Sequence, residues 1–162
     1  MSNTRTRNME NPKNFLFLEF VRLVREIRPT WFVLENVWGI TNIDDGKTKE
    51  LIKECFEALG YKVQSGVLCA SDYGVPQKRH RFFMVGNKDG IEFQFPRKFD
   101  YEVTVDEAIS DLPSLDNGEM LDEANYSIPF DKSSRYARKM RRKSKIATQN
   151  YVSRNNDLVI ER

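Results

Sequence analysis

The chain has 162 residues, of which 40% are hydrophobic and 31% charged, and its 26 basic and 24 acidic residues leave a net charge of +2. This composition is ordinary for a globular protein of one domain or part of one. No apolar run approaches the roughly 20 residues that span a bilayer, and the polar N-terminus contains no export signal. We therefore expect neither a secreted nor a membrane-embedded protein.

Cysteine and histidine are too few for several common kinds of site. The two cysteines, Cys55 and Cys69, cannot build a disulfide framework. Together with His80 they provide fewer ligands than a structural zinc site requires, so we expect no metal. The composition fits a reducing cytoplasm. Cys55 is expected to be a packed thiol, and Cys69 is a poor candidate nucleophile because no general base is adjacent.

The first helix and strand are predicted from their apolar patterns. Residues Phe15–Ile27 have apolar side chains at helical spacing, with Asn14 as a plausible N-cap. Pro29 ends this helix, because the residue before a proline avoids helical geometry. The continuous apolar run Trp31–Leu34 then predicts a strand that is buried on both faces, as in a parallel sheet.

A second helix and two further strands follow. Lys47–Leu59 is amphipathic and ends at Gly60. Its predicted apolar side comprises Leu51, Ile52, Cys55, Phe56 and Leu59. The strands Tyr61–Ala70 and Arg81–Gly86 are joined by a short loop, which favours antiparallel pairing. The alternation of helices and strands predicts an α/β fold with crossover connections.

The composition changes after about residue 96, so we divide the chain into residues 1–96 and 97–162. Thr104–Leu112 is predicted to form a short helix, with Thr104 as cap and Glu107 at the capping-box position. Asp111–Pro129 is expected to be irregular. Lys132–Lys145 then contains eight basic residues, which either form a solvated face or tail or follow a nucleic-acid backbone.

Glu35-Asn36-Val37 lies at the carboxyl end of the first predicted strand, where open α/β sheets bind their ligands. A protonated carboxyl group there would donate one hydrogen bond and accept another, as the edge of an amide-like heterocycle requires. The spacing is equally compatible with a glutamate that caps the next turn.

A second polar cluster comes at the start of the last predicted strand, in Gln77-Lys78-Arg79-His80-Arg81. Arg79 and Arg81 are two residues apart, so they share one face of a strand, and Gln77 joins them if the strand begins early. Paired guanidinium groups attract phosphate or a carbonyl oxygen. The alternative is a solvated edge strand with salt-bridged arginines.

Taken in order, these segments resemble the cytosine-C5 DNA methyltransferase family. Glu35-Asn36-Val37 resembles its Glu-Asn-Val motif, and the run Tyr73–Arg81 resembles its Gln-x-Arg-x-Arg motif with the preceding Tyr-Gly-Val-Pro. Asn11–Leu16 resembles the segment that leads into the first motif. The resemblance covers residues 10 to about 96. It implies part of a Rossmann-like, S-adenosylmethionine-dependent methyltransferase sheet, followed by the beginning of an irregular target-recognition region.

The resemblance also implies a reaction and roles for individual residues. A cysteine thiolate adds to C6 of a cytosine flipped out of DNA, and C5 then accepts the methyl group of S-adenosylmethionine. Glu35 would contact N3 and the exocyclic amine, Arg81 would hold O2, and Arg79 with Gln77 would orient the nucleophile loop. The remaining implied sites are base-pocket positions Asn36 and Val37, cofactor contacts Asn14 and Leu16, and DNA contacts Arg135, Arg138, Arg141 and Arg142.

Two motifs of the family do not occur in this sequence. There is no Pro-Cys dipeptide, which holds the nucleophile, and no Phe-x-Gly-x-Gly turn, which holds the methyl donor. Ser2–Arg7 resembles the sequence that follows the nucleophile loop, and residues 154–162 resemble an interrupted target-recognition region. We therefore expect a fragment of a DNA methyltransferase that binds double-stranded DNA and is inactive without the remainder of the enzyme or a second subunit. The resemblance also implies a bacterial cytoplasmic protein associated with the nucleoid.

Three alternatives remain open from the sequence. The chain could be a non-enzymatic subunit of a split methyltransferase, or a DNA-binding module that uses Lys132–Lys145. It could also belong to the tRNA-methylating branch of the same family, whose distinguishing cysteine loop is not in this sequence.

Overall fold

The computed structural model describes residues 16–142 and 144–156, without the side chains of Ile43 and Asp44. The predictions made for Asn14, for the segment before it, for Lys143 and for residues 157–162 lie outside the described residues. Contacts divide the chain into two compact units. The first unit runs to Tyr73 and resumes over Lys78–Asp100, and the second comprises Gly74–Gln77 and the residues from Tyr101 onward. The predicted boundary after residue 96 stays a prediction.

The first unit contains two helices and three strands. Their bounds are α1 Leu16–Ile27, β1 Trp31–Val37, α2 Lys47–Glu57, β2 Lys62–Cys69 and β3 His80–Asn87. Two 3-10 helices connect them, over Trp38–Gly46 and Ala70–Tyr73. Both predicted helices are confirmed over the described residues. Helix α2 ends before Gly60, whose φ of 86° gives the left-handed turn that glycine adopts without strain.

The sheet of the first unit has the order β1-β3-β2, and both pairs are antiparallel. The predicted antiparallel pairing of β2 with β3 is confirmed. Strands β1 and β2 run in the same direction, and α2 connects them, so the predicted crossover exists with β3 inserted between its strands. This order places the beginning of β3 beside the end of β1.

The expectation that Trp31–Leu34 is buried on both faces is wrong. Strand β1 alternates, with Phe32 and Leu34 buried and Val33 59% exposed. Its partner β3 is antiparallel, and α1 and α2 contribute the helical part of the core on the Phe32 side. A run of four apolar residues did not reveal this alternation, because apolar side chains are common on protein surfaces.

The hydrophobic core lies between the helices and one face of the sheet. Phe56 on α2 packs on Phe32 of β1 with ring centroids 4.3 Å apart, and Phe20 of α1 meets both rings edge-on at 6.0 Å. Ile52 and Met84 are fully buried in the same cluster. Cys55 and Leu59 pack against it as predicted, whereas Leu51 is 42% exposed and does not belong to the buried side of α2.

An extended segment crosses the other face of the sheet in residues 91–96. The backbone N–H of Phe93 donates to Gln64 Oε1 at 2.7 Å, and the Phe95 ring covers Gly66. The Asn87 amide holds the beginning of the segment through two hydrogen bonds to the backbone of Ile91. This face is therefore partly covered by the chain itself.

The second unit contains a hairpin-like sheet and two short helices. Their bounds are α3 Val105–Ile109, β4 Met120–Asn125, α4 Arg135–Arg141 and β5 Ile146–Tyr151. The predicted capping box of α3 is confirmed, because Thr104 Oγ1 accepts from Glu107 N and Glu107 Oε2 accepts from Thr104 N. Strand β4 corrects the expectation that Asp111–Pro129 is irregular throughout, since it pairs antiparallel with β5. No helix in the described parts of either unit is long and apolar enough to cross a membrane.

Candidate active site

Glu35 and Arg81 meet at the end of β1. Val37 lies opposite Arg81 and Glu35 lies opposite Phe83, so Glu35 and Arg81 are diagonal neighbours on one face of the sheet. Arg81 Nε and Glu35 Oε1 lie 2.9 Å apart and form an ion pair. The sequence analysis named both residues from separate motifs, and the antiparallel register explains why they come together.

A hydrogen bond also holds the Arg81 guanidinium. Its Nη1 donates to the carbonyl oxygen of His80 at 2.8 Å. The Arg81 side chain is 22% exposed, whereas that of Glu35 is 51% exposed. Within the described part of the chain no hydrogen bond reaches Glu35 Oε2, so this oxygen remains available as an acceptor beside the Arg81 donors. Such a side-by-side donor and acceptor pair complements the edge of a heterocycle.

Asn36 and Val37 complete the end of β1. Asn36 Oδ1 accepts from the backbone N–H of Val37 at 2.8 Å, and this bond satisfies a donor where the strand ladder stops. The Val37 side chain is 55% exposed. Both residues therefore lie beside the Glu35–Arg81 pair, one as a backbone cap and the other as exposed apolar surface.

Arg79 and Gln77 are less well placed by the structure. Arg79 is exposed, and its carbonyl accepts from Ala70 N at 3.0 Å just before β3 begins. Gln77 is exposed in the segment Gly74–Gln77, which belongs to the second unit, and its N–H donates to the carbonyl of Val75. Neither side chain has a described partner at the Glu35–Arg81 pair, so their roles stay predictions.

An aromatic contact next to the pair was not predicted. The Trp38 indole, directly after β1, lies 6.1 Å from the His80 imidazole between ring centroids. The sequence contained a signal for it, since Trp38 directly follows one motif and His80 lies within the other. Their proximity, however, depends on the pairing of β1 with β3.

Cys69 is buried on β2, one residue after Leu68, which lies directly opposite Arg81. Its Sγ lies 3.2 Å from Ser71 Oγ, and this hydrogen bond lowers the pKa of the thiol. Burial opposes the effect by disfavouring the charged thiolate. A thiol 8% exposed is poorly accessible, so the structure adds no support for Cys69 as a nucleophile.

The basic stretch is partly helical, and Arg141 differs from its predicted role as a DNA contact. Its side chain is 8% exposed and pairs with Asp111 at 3.3 Å, donates to the carbonyl of Ile128 at 2.9 Å, and stacks on the Tyr126 ring at 3.7 Å. A guanidinium enclosed in this way is a structural element of the second unit. The basic stretch alone does not reveal these contacts, because the partners of Arg141 lie distant in sequence.

The other predicted DNA contacts have different surroundings. Arg135 and Arg142 are exposed, and Arg138 is half-buried with Nη1 donating to the carbonyl of Asp131. Among the described residues no group of three or more histidine, cysteine or acidic side chains is placed to hold a metal ion.

Comparisons with known proteins agree with the motifs. The family model described as C-5 cytosine-specific DNA methylase matches residues 1–161. Type II methyltransferase M1.HphI of Haemophilus parahaemolyticus is 48% identical over 111 residues, which are 68% of this chain and 30% of that protein. Type II methyltransferase M.DdeI of Desulfomicrobium norvegicum is 36% identical over 166 residues, which are 96% of this chain and 40% of that protein.

A solved structure extends the likeness to the fold. A prophage-encoded DNA modification methyltransferase from E. coli superposes with a TM-score of 0.66 at 25% identity, covering 94% of this chain and 50% of that one. This match confirms the predicted α/β methyltransferase fold. The chain spans 30% to 40% of the length of the two curated relatives named above. On the family match, the chain belongs to the C-5 cytosine-specific DNA methylase family.

Proposed function

We propose that this chain supplies the base-holding part of a DNA (cytosine-5-)-methyltransferase. The observation that carries the proposal is the Glu35–Arg81 pair, joined at 2.9 Å on the exposed end of β1 in a chain of this family. The available Glu35 oxygen would accept from the exocyclic amine of cytosine, and Arg81 would donate to its O2. Asn36 and Val37 would shape the strand end that carries Glu35.

Charge complementarity explains why this pair suits the reaction. Addition of a nucleophile to C6 pushes electron density toward N3 and O2 of the ring. A guanidinium held in place at O2 offsets that charge without reorganising during the reaction. The His80 carbonyl and Glu35 hold Arg81 from two sides, so its orientation is set before a base arrives.

Members of this family use S-adenosylmethionine as methyl donor. Of the two predicted cofactor contacts, Leu16 is 64% exposed at the start of α1, and Asn14 lies outside the described residues. One exposed leucine offers apolar surface but no polar group that recognises the donor. Leu16 alone therefore does not make up a cofactor site, and we derive no step through the donor.

Double-stranded DNA is the proposed substrate, with Arg135, Arg138 and Arg142 as candidate phosphate contacts. Arginine side chains neutralise phosphates and release counterions, so this contribution to affinity falls steeply as salt rises. Arg141 is omitted because its guanidinium is buried against Asp111. We propose further that transfer requires the nucleophile and donor-binding motifs, which this sequence does not contain.

The test is transfer of a labelled methyl group from S-adenosylmethionine to unmethylated duplex DNA. The chain would be assayed alone and after co-expression with the part of M1.HphI outside the matched 111 residues. We expect transfer only in the co-expressed sample. Transfer by the chain alone would contradict the proposed dependence on a second part. Transfer to tRNA in preference to DNA by the co-expressed sample would select the tRNA-methylating branch instead.

A further inference from the structure

Trp38 and His80 form an aromatic contact immediately outside the Glu35–Arg81 pair. Their ring centroids lie 6.1 Å apart with an interplanar angle of 48°, within the range in which aromatic rings attract one another. Trp38 is the first residue after β1, and His80 is the first residue of β3. The contact therefore joins the ends of the two strands that carry the ion pair.

The backbone of Trp38 is anchored although its indole is 53% exposed. The carbonyl of Trp38 accepts from Thr41 Oγ1 at 2.8 Å, and Ile40, two residues further on, is 6% exposed within the hydrophobic core. The point from which the indole extends toward His80 is therefore held in place.

The backbone of His80 is tied directly to Arg81. Its carbonyl oxygen accepts from Arg81 Nη1 at 2.8 Å. The preceding carbonyl, that of Arg79, accepts from Ala70 N at 3.0 Å, so a backbone hydrogen bond holds the chain directly before His80. Any rotation of the His80 residue would move the acceptor that orients the Arg81 guanidinium.

We propose that Trp38 and His80 are positioning residues that hold Arg81 in the orientation it needs at the base. That this orientation matters for methyl transfer rests on the proposed function, whereas the positioning of Arg81 by Trp38 and His80 does not. Packing of the imidazole on the anchored indole fixes His80, and the His80 carbonyl then fixes Arg81 together with Glu35. A guanidinium held from two sides loses less conformational freedom when it binds a ligand.

The experiment measures solvent exchange of the Arg81 Nε–H by NMR on the full chain labelled with ¹⁵N-arginine, without DNA or cofactor. The Arg81→Lys variant assigns the signal. We expect Trp38→Ala and His80→Ala each to accelerate exchange about fivefold, the effect of losing one aromatic contact. Trp38→Phe keeps a ring and should restore slow exchange. Trp31→Ala removes an exposed indole at the opposite end of β1 and should leave exchange unchanged.

Two outcomes would overturn the proposal: exchange as slow as in the unmodified chain in both alanine variants, or equal acceleration in Trp31→Ala. Circular dichroism would verify folding, and His80→Ala tests the same contact if Trp38→Ala does not fold. Because this readout needs no methyl transfer, it stands if the proposed function fails. In the co-expressed enzyme, a fall in kcat at constant KM in Trp38→Ala, reversed in Trp38→Phe, would link the positioning to catalysis.

Discussion

Arg81 forms an ion pair with Glu35 across the β1–β3 ladder, with Nε 2.9 Å from Oε1, because Val37 lies directly opposite Arg81 and Glu35 is its diagonal neighbour. Two motifs that are remote in sequence thus form one polar unit. The pair is partly exposed to solvent, where ion pairs contribute little to stability. Its placement at the end of β1 is therefore better explained by binding than by folding.

A first prediction separates these two explanations. Arg81→Met removes the guanidinium and retains an apolar stem, and we expect it to lower the free energy of unfolding by about 1 kcal/mol or less. Urea denaturation would measure the change, with Arg22→Met as control because Arg22 also forms exposed ion pairs, on α1. A loss above about 3 kcal/mol would show a structural role for Arg81.

A second prediction concerns the close approach of Gly86 to Phe32. A Cβ at position 86 would lie 2.2 Å from Phe32 Cε1, so Gly86→Ala should destabilise the chain by about 1 to 3 kcal/mol through overpacking. Phe32→Leu combined with Gly86→Ala should recover part of that loss. Gly39→Ala is the matched control, since nothing lies within 4 Å of its Cβ. Equal stability of the two single variants would contradict this packing.

A third prediction separates structural from DNA-binding arginines. Arg141→Ala leaves the Asp111 carboxylate buried without its partner, and we expect a loss of about 3 kcal/mol in the second unit. Arg142→Ala changes an exposed side chain and should alter stability by about 0.5 kcal/mol at most. It should instead weaken DNA binding and reduce the salt slope by about 1. Thermal unfolding and DNA titration at several salt concentrations would check both, and unchanged DNA affinity in Arg142→Ala would remove that residue from the interface.

A fourth prediction follows from the lowered pKa of Cys69. The Ser71 hydrogen bond stabilises the thiolate, so Ser71→Ala should move the pH midpoint of Cys69 alkylation upward in a Cys55→Ser background. Because the pKa of Cys69 is lower in the folded chain than in the unfolded chain, its thiolate stabilises the folded state. This stabilisation is fully present above the pKa of the unfolded chain, and it is lost as the pH falls through the pKa of the folded chain. Ser71→Ala should therefore lose stability mainly at alkaline pH. A midpoint that does not move would show that Ser71 does not bond the thiolate.

Local signals in the sequence predicted local structure well. The capping box of Thr104 and Glu107 spans four residues, and helices α1 and α2 follow from apolar spacing along single segments. Sequence motifs also identified Glu35 and Arg81, because the family resemblance specifies residue types at set spacings. These features depend on neighbouring residues and need no knowledge of the tertiary arrangement.

Features that depend on distant partners were not predictable in this way. The insertion of β3 between β1 and β2 leaves no local trace, so the one-sided burial of β1 was missed. Arg141 looked like any other cation in a basic stretch until its contacts with Asp111 and Tyr126 were known. The Trp38–His80 contact likewise exists only because the strands pair.

The most direct test of the account compares Glu35→Gln with Glu26→Gln in the co-expressed enzyme. Glu26 is a matched control, since it also forms an exposed ion pair, with Arg22 on α1. We predict that Glu35→Gln reduces methyl transfer to duplex DNA by at least about 100-fold, as expected for a group that acts in proton transfer or charge stabilisation at the base, while the chain remains folded and Glu26→Gln retains full activity. Full transfer by Glu35→Gln would contradict the assignment of Glu35 and Arg81 as the base-holding pair.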